Sequence, residues 1–206
     1  MTTWTFKGPV AALALFTLTG CEAGQRTKLV EGVLPGTAKQ AARPLSRAQM
    51  AGDVILVAPS GYCIDRASLK ARFAVMARCD GLGVTLAGSG AVPRGLITVS
   101  LTARKPGPLP SAAQTAQATQ LVVVDAVEES QDKVTFRAQG RIPVSGLSAM
   151  QWRGVAAIGG QTAGIAVYGA EQSEILTSVG RTIMHQMIAR SIEATPKPAQ
   201  TPTKRK

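Results

Sequence analysis

Three cysteines and one histidine are the residues of this 206-residue chain whose chemistry is easiest to test against their spacing. Cys63 and Cys79 lack the Cys-x-x-Cys interval of a redox dithiol, and a single histidine leaves them without the usual companions of a zinc site. His185 is the only imidazole a nucleophilic triad could recruit, and no Gly-x-Ser-x-Gly elbow accompanies it. Gly81-Leu82-Gly83 and Gly88-Ser89-Gly90 are short glycine pairs. Neither extends into a phosphate-cradling Gly-x-x-x-x-Gly-Lys-Ser/Thr loop or a complete Gly-x-Gly-x-x-Gly turn. Glu128, Glu129 and Asp132 gather beside Lys133 in a stretch that reads as a solvated hairpin turn. Asp65 reads as a helix cap, and Asp80-Gly81 as a turn. From these residues no catalytic residue, metal ligand or cofactor is assigned.

The third cysteine is explained by what precedes it. Lys7 and the amino terminus supply positive charge, Gly8 to Thr19 form an apolar stretch of about a dozen residues, and Gly20 is small. That stretch is short of the roughly 20 residues a membrane-spanning helix needs. Leu18-Thr19-Gly20-Cys21 resembles the lipobox of bacterial lipoproteins. The resemblance implies cleavage before Cys21, a diacylglycerol thioether on its sulfur and an amide-linked acyl chain on its new amino terminus. Two or more chains hold a protein stably on a membrane. Glu22 stands where lipoproteins retained at the inner membrane often carry Asp, so the resemblance places the protein on the periplasmic side of a bacterial membrane, the outer one favoured. Cys63 and Cys79 then remain as an even pair in an oxidising compartment.

Charge supports a tethered protein over a nucleic-acid reader. The formal net charge is +11, but residues 22–50 hold five basic and two acidic side chains, and residues 196–206 hold four basic and none acidic. Residues 51–195 carry 13 basic against 10 acidic groups, so the excess sits in the flanks, not on a folded groove-reading face. Lys204-Arg205-Lys206 suits solvated tail, anionic lipid, lipopolysaccharide or an acidic envelope partner, at about 1 kcal/mol per basic residue or less. The expected organisation is a signal peptide over 1–20, a lipidated Cys21 with a flexible basic stalk over 21–50, one domain over 51–194, and a Pro-rich basic tail over 195–206.

Periodicity places the elements within that domain. Val54 to Val57 reads as a strand ending at Pro59-Ser60-Gly61, Asp65 as the cap of a short helix through Ser68 and Leu69, and Phe73 to Cys79 as a strand, with a continuous helix to Cys79 as the rival. Gly95 to Ala103 alternates as a strand, and Ser111 caps a helix to about Gln120. Leu121 to Val127 and Val134 to Ile142 form one hairpin, and Gln151 to Ile158 and Thr162 to Tyr168 a second across Gly159-Gly160. A closing helix spans about Glu171 to Glu193, with Leu176, Val179, Ile183 and Met187 along one side, His185 turned away from it and two glutamates at its start. The result is an α+β domain, a mainly antiparallel sheet with a short early helix and a long C-terminal helix packed on it. This element order is loosely similar to PsbP/Mog1-like domains.

A disulfide between Cys63 and Cys79 closes a loop of about 16 residues, worth about 3 kcal/mol on the loop-entropy account. A straight helix between them would hold the two apart by about 20 Å. A parallel strand–helix–strand unit would bring both to one sheet edge, whereas a hairpin with Val54–Val57 would not. Trp152 and Tyr168 fall on the two strands of the last hairpin, close enough to pair across it. With Tyr62 they are the candidate partner-binding residues. The functional expectation is a non-enzymatic envelope lipoprotein that binds or scaffolds an envelope protein or a cell-wall component. The alternative is a periplasmic carrier holding a lipid or apolar ligand between sheet and helix, where the Gly/Ala-rich strand Val155–Gly169 would leave space.

Overall fold

Strand-forming residues alternate through most of the domain, and pairing them generates one large sheet. The structure, a computed structural model, describes residues 43–84 and 91–197. Leu18-Thr19-Gly20-Cys21, expected above to be a lipobox, and the Lys204-Arg205-Lys206 terminus lie outside those residues. In chain order the strands are β1 (Arg47–Gln49), β2 (Ile55–Val57), β3 (Tyr62–Ile64), β4 (Phe73–Arg78), β5 (Leu96–Ala103), β6 (Val122–Glu129), β7 (Lys133–Gln139), β8 (Met150–Ile158) and β9 (Gln161–Tyr168). Two α-helices join them, α1 (Ala112–Thr119) and α2 (Ser178–Ala194). Strands β3 to β9 form a seven-stranded sheet of order β3-β4-β5-β9-β8-β7-β6, antiparallel at every pairing. β1 and β2 form a separate antiparallel pair. The class is α+β, a large antiparallel sheet with a long C-terminal helix.

Residues directly opposite in an antiparallel pair share a face, so the register defines two surfaces. On the first lie Ile97, Val99, Leu101, Trp152, Ala156, Ile165 and Val167, all buried. They join Ile183, Met184, Met187 and Ile188 of α2, and Leu56 of β2, in the larger core. On the second face, Val134, Phe136, Ala138 and Val155 pack under Ala112 and Ala116 of α1. α1 is held at its start by a reciprocal pair: Gln114 N donates to Ser111 Oγ (3.2 Å), and Ser111 N donates to Gln114 Oε1 (2.9 Å).

Several expected elements move. Asp65 does not start a helix. Its carboxylate accepts from Ala67 N at 3.0 Å and Ser68 N at 3.1 Å, an Asx turn that returns the chain directly into β4. The closing helix is also interrupted. Glu174–Leu176 is a 3₁₀ turn, and Thr177 then caps α2 by accepting from Val179 N. A Cβ on Gly180 would lie 1.8 Å from the Ile175 carbonyl oxygen, so the two turns meet at a contact only glycine permits. Glu171 and Glu174 consequently precede the first turn of α2, and Val179 is 39 % exposed, outside the buried stripe.

Residues 43–50, assigned above to the stalk, belong to the fold. Leu45 bridges Ile64, and Ala48 and Met50 are buried in the larger core. The outer edge of β2 would leave buried N–H groups without partners. Two hydroxyls one turn apart on the helix side answer them: Val57 N donates to Ser191 Oγ, and Ile55 N to Thr195 Oγ1, each at 3.0 Å. Thr195, expected to open the tail, is therefore a buried closing residue of the domain.

Candidate functional site

Cys63 and Cys79 form a disulfide with Cα atoms 4.9 Å apart, but not through a parallel unit. The chain turns at Gly61 (φ 79°) and starts a new strand, β3, so Cys63 lies in a strand distinct from Val54–Val57. In the antiparallel β3–β4 pair, Cys63 faces Ala77, and Cys79 N donates to Gly61 O at 3.1 Å. The two sulfurs reach each other diagonally across the end of this hairpin. The two acids near the cysteines do not converge. Asp65 serves its own turn, whereas Asp80 pairs with Arg78, whose guanidinium holds that exposed carboxyl down at about 2.

None of the three candidate partner-binding aromatics is exposed. Tyr62 is buried and donates its hydroxyl to Pro93 O at 2.6 Å. Burial pushes that phenol up to about 12 against the opposing pull of Arg78. Trp152 is buried beneath α2, donating Nε1–H to the Thr177 carbonyl at 2.8 Å, with the Arg181 guanidinium 5.9 Å from its ring centre. Tyr168 is also buried, but it faces the other way. Trp152 sits opposite Val167, so Tyr168 shares the second face with Gln151 and Arg153. The expected cross-strand pair does not form, because adjacent positions on a strand point to opposite sides.

His185 is not a loose surface residue. It is half-buried between α2 and the β6–β7 hairpin, with Nδ1 3.5 Å from Lys133 Nζ and Nε2 3.3 Å from Thr135 Oγ1 and 3.8 Å from a Glu128 carboxylate oxygen. Lys133 in turn binds Glu128 at 2.8 Å. Burial, then the positive charge of Lys133, hold the imidazole below its ordinary value, while Lys133 holds Glu128 below its own. Both ring nitrogens are engaged and Thr135 is fully buried, so the cluster ties a helix to a sheet and exposes no nucleophile. Among the described residues no group of three or more His, Cys, Asp and Glu side chains is placed to hold a metal.

Where α2 crosses β8, a Cβ on Gly154 would meet Met184 Sδ at 2.8 Å, so this small residue admits a helix side chain.

The feature absent from the sequence reading lies on the second face. α1 covers only the β6–β8 side, and the β4–β5–β9 side remains open, with Ser100, Thr102 and Phe73 exposed and Thr98 and Val75 half-buried. At its border stands Arg153, half-buried on β8, hydrogen-bonded to Tyr168 and with its guanidinium carbon 5.5 Å from the centre of that ring. Its Nε is shut off from solvent without a hydrogen-bond partner, as is Oε1 of the fully buried Gln151 two residues earlier on the same face. Burial lowers the basicity of Arg153. It takes part in none of the ion pairs among the described residues. An arginine on a strand that otherwise reads as core could have drawn notice in the sequence, but that it has no counter-ion among the described residues is visible only in space.

The chain matches no known family model, curated protein or solved structure.

Proposed function

We propose that the chain is an exported envelope lipoprotein, held on the periplasmic side of a bacterial membrane, the outer one favoured, by lipid on Cys21. Its α+β domain serves as a binding or scaffolding module. The observation that carries this reading is Leu18-Thr19-Gly20-Cys21 placed directly after a short charged and apolar leader. One further observation supports it. The remaining cysteines stand together as a disulfide, which suits an oxidising compartment. No helix among the described residues is long and apolar enough to cross a membrane.

Growth of a bacterial host with an alkyne-bearing fatty acid tests the anchor directly. The wild-type chain should take up label and sediment with membranes, and Cys21→Ser should do neither. An unlabelled wild type released as a soluble periplasmic protein overturns the reading.

A further inference from the structure

β8 is an interior strand, and a strand in that position normally carries apolar or small side chains toward its neighbours. Arg153 breaks that pattern. In register it lies beside Ala166 of β9, followed across the sheet by Thr98 of β5 and Val75 of β4, with Phe136 of β7 on its other side. None of these is acidic. Taking a cation part-way out of water without a counter-ion is costly, and a stacked tyrosine orients the guanidinium without neutralising it. Buried polar atoms without partners are rare enough in folded proteins to need an explanation, and here two occur on adjacent same-face positions of one strand.

We propose that the uncovered half of this sheet face binds a carboxylate bearing an apolar body, with Arg153 as the anchor for the carboxylate. One unpaired guanidinium among neutral neighbours is matched by one negative charge; a doubly charged phosphate would leave a surplus. The planar fork of arginine also fits a planar carboxylate through two parallel N–H···O bonds. The apolar body has a track to lie on. Gly164 keeps the floor of the face low near Arg153, and Val75 and the 38 % exposed Phe73 line its far side. Three inter-strand steps separate Arg153 from Val75, about 14 Å in all. The site lies on the opposite side of the sheet from α2. It deepens the binding-module reading by naming a ligand class, and it does not require Cys21 to be lipidated.

The test uses the full chain carrying Cys21→Ser, labelled with nitrogen-15 and titrated in turn with octanoate, acetate and inorganic phosphate. Octanoate should give saturable shifts centred on Thr98, Ala166, Tyr168 and the Arg153 Nε–H signal, at least tenfold tighter than acetate. Arg153→Gln should abolish saturation, and Arg153→Lys should weaken it while retaining the same map. No saturable shift, an unchanged titration in Arg153→Gln, a map centred elsewhere, or phosphate bound more tightly than octanoate would each overturn the assignment. Acetate binding as tightly as octanoate would overturn the apolar body. Should Arg153→Gln fail to fold, the wild-type map and Arg153→Lys decide the matter. Because the measurement is made without the lipid, its failure leaves the Cys21 labelling result standing, and the reverse also holds.

Discussion

The two faces of the seven-stranded sheet are closed to different degrees. The first is covered by the 17-residue α2 and by β1–β2, and its side chains from Ile97 to Trp152 are shut off from water. The second has, among the described residues, the eight-residue α1, which shelters Phe136 and Val134 and stops short of β5 and β9. Hydrophobic burial grows with the apolar area removed from water, so the first face supplies the larger share of stability. The second is left with room to do something else. Small and hydroxylated residues there (Ser100, Thr102, Gly164) let the surface stay wetted without an apolar penalty, and that is where the unpaired Arg153 stands.

This contrast can be broken most sharply at Trp152. Replacement by Ala removes a ring buried beneath α2 together with its bond to the Thr177 carbonyl, and should cost about 3–5 kcal/mol in urea unfolding. A loss comparable to that of an open-face change such as Thr102→Ala, expected within about 0.5 kcal/mol, would mean the two faces are not distinct. Next in size is Ser191→Ala. It strands the Val57 N–H against the helix and should cost about 1–3 kcal/mol, whereas the same change at exposed Ser100 should be nearly silent.

The thinner cover of the second face can be probed at its cap. Ser111→Ala removes one half of the reciprocal bond that starts α1 and should cost about 1 kcal/mol. It should also raise hydrogen exchange in β6 and β7 before any change appears around α2. Faster exchange across the whole domain would show that α1 and α2 unfold as one unit.

The smallest expected effect is one of pH. The folded imidazole of His185 titrates below its ordinary 6.5, so between the two values the unfolded chain binds more protons. Stability should therefore be complete above about pH 6.5 and fall as pH drops through the folded value. Glu128 is ionised throughout that window, because its own value is lowered from 4.5. Thermal midpoints at pH 7.5 and 5.5 should converge in His185→Gln, and an unchanged difference would remove the histidine from the account.

Much of the fold is legible from residue pattern. The hairpins β6–β7 and β8–β9 and the capped α1 follow from alternation and from Ser111 with Gln114, which are local signals. Close packing and turn geometry decided what the pattern could not. The break before α2 comes from Gly180 meeting the Ile175 carbonyl, five residues back yet in direct contact. The disulfide was legible as a pairing, because two cysteines remained after Cys21. Its route was not, since the start of β3 depends on a turn at Gly61 that hides inside a short polar stretch. The candidate aromatics failed for a related reason. A large ring on a strand is equally suited to core or surface, and only the sheet's neighbours say which.

By itself the sequence determined the short apolar leader before Leu18-Thr19-Gly20-Cys21, the alternating strands and the basic flanks, because each depends on residues adjacent or nearly adjacent in the chain. Tertiary structure alone decided that Trp152 and Tyr168 point to opposite sides and that β2's outer edge is met by Ser191 and Thr195. It also decided that Arg153 stands at the edge of an open face with no counter-ion among the described residues. Those outcomes require knowing which distant segments pack together, and the free energy of a charge or a polar atom depends on neighbours the chain brings in from far away.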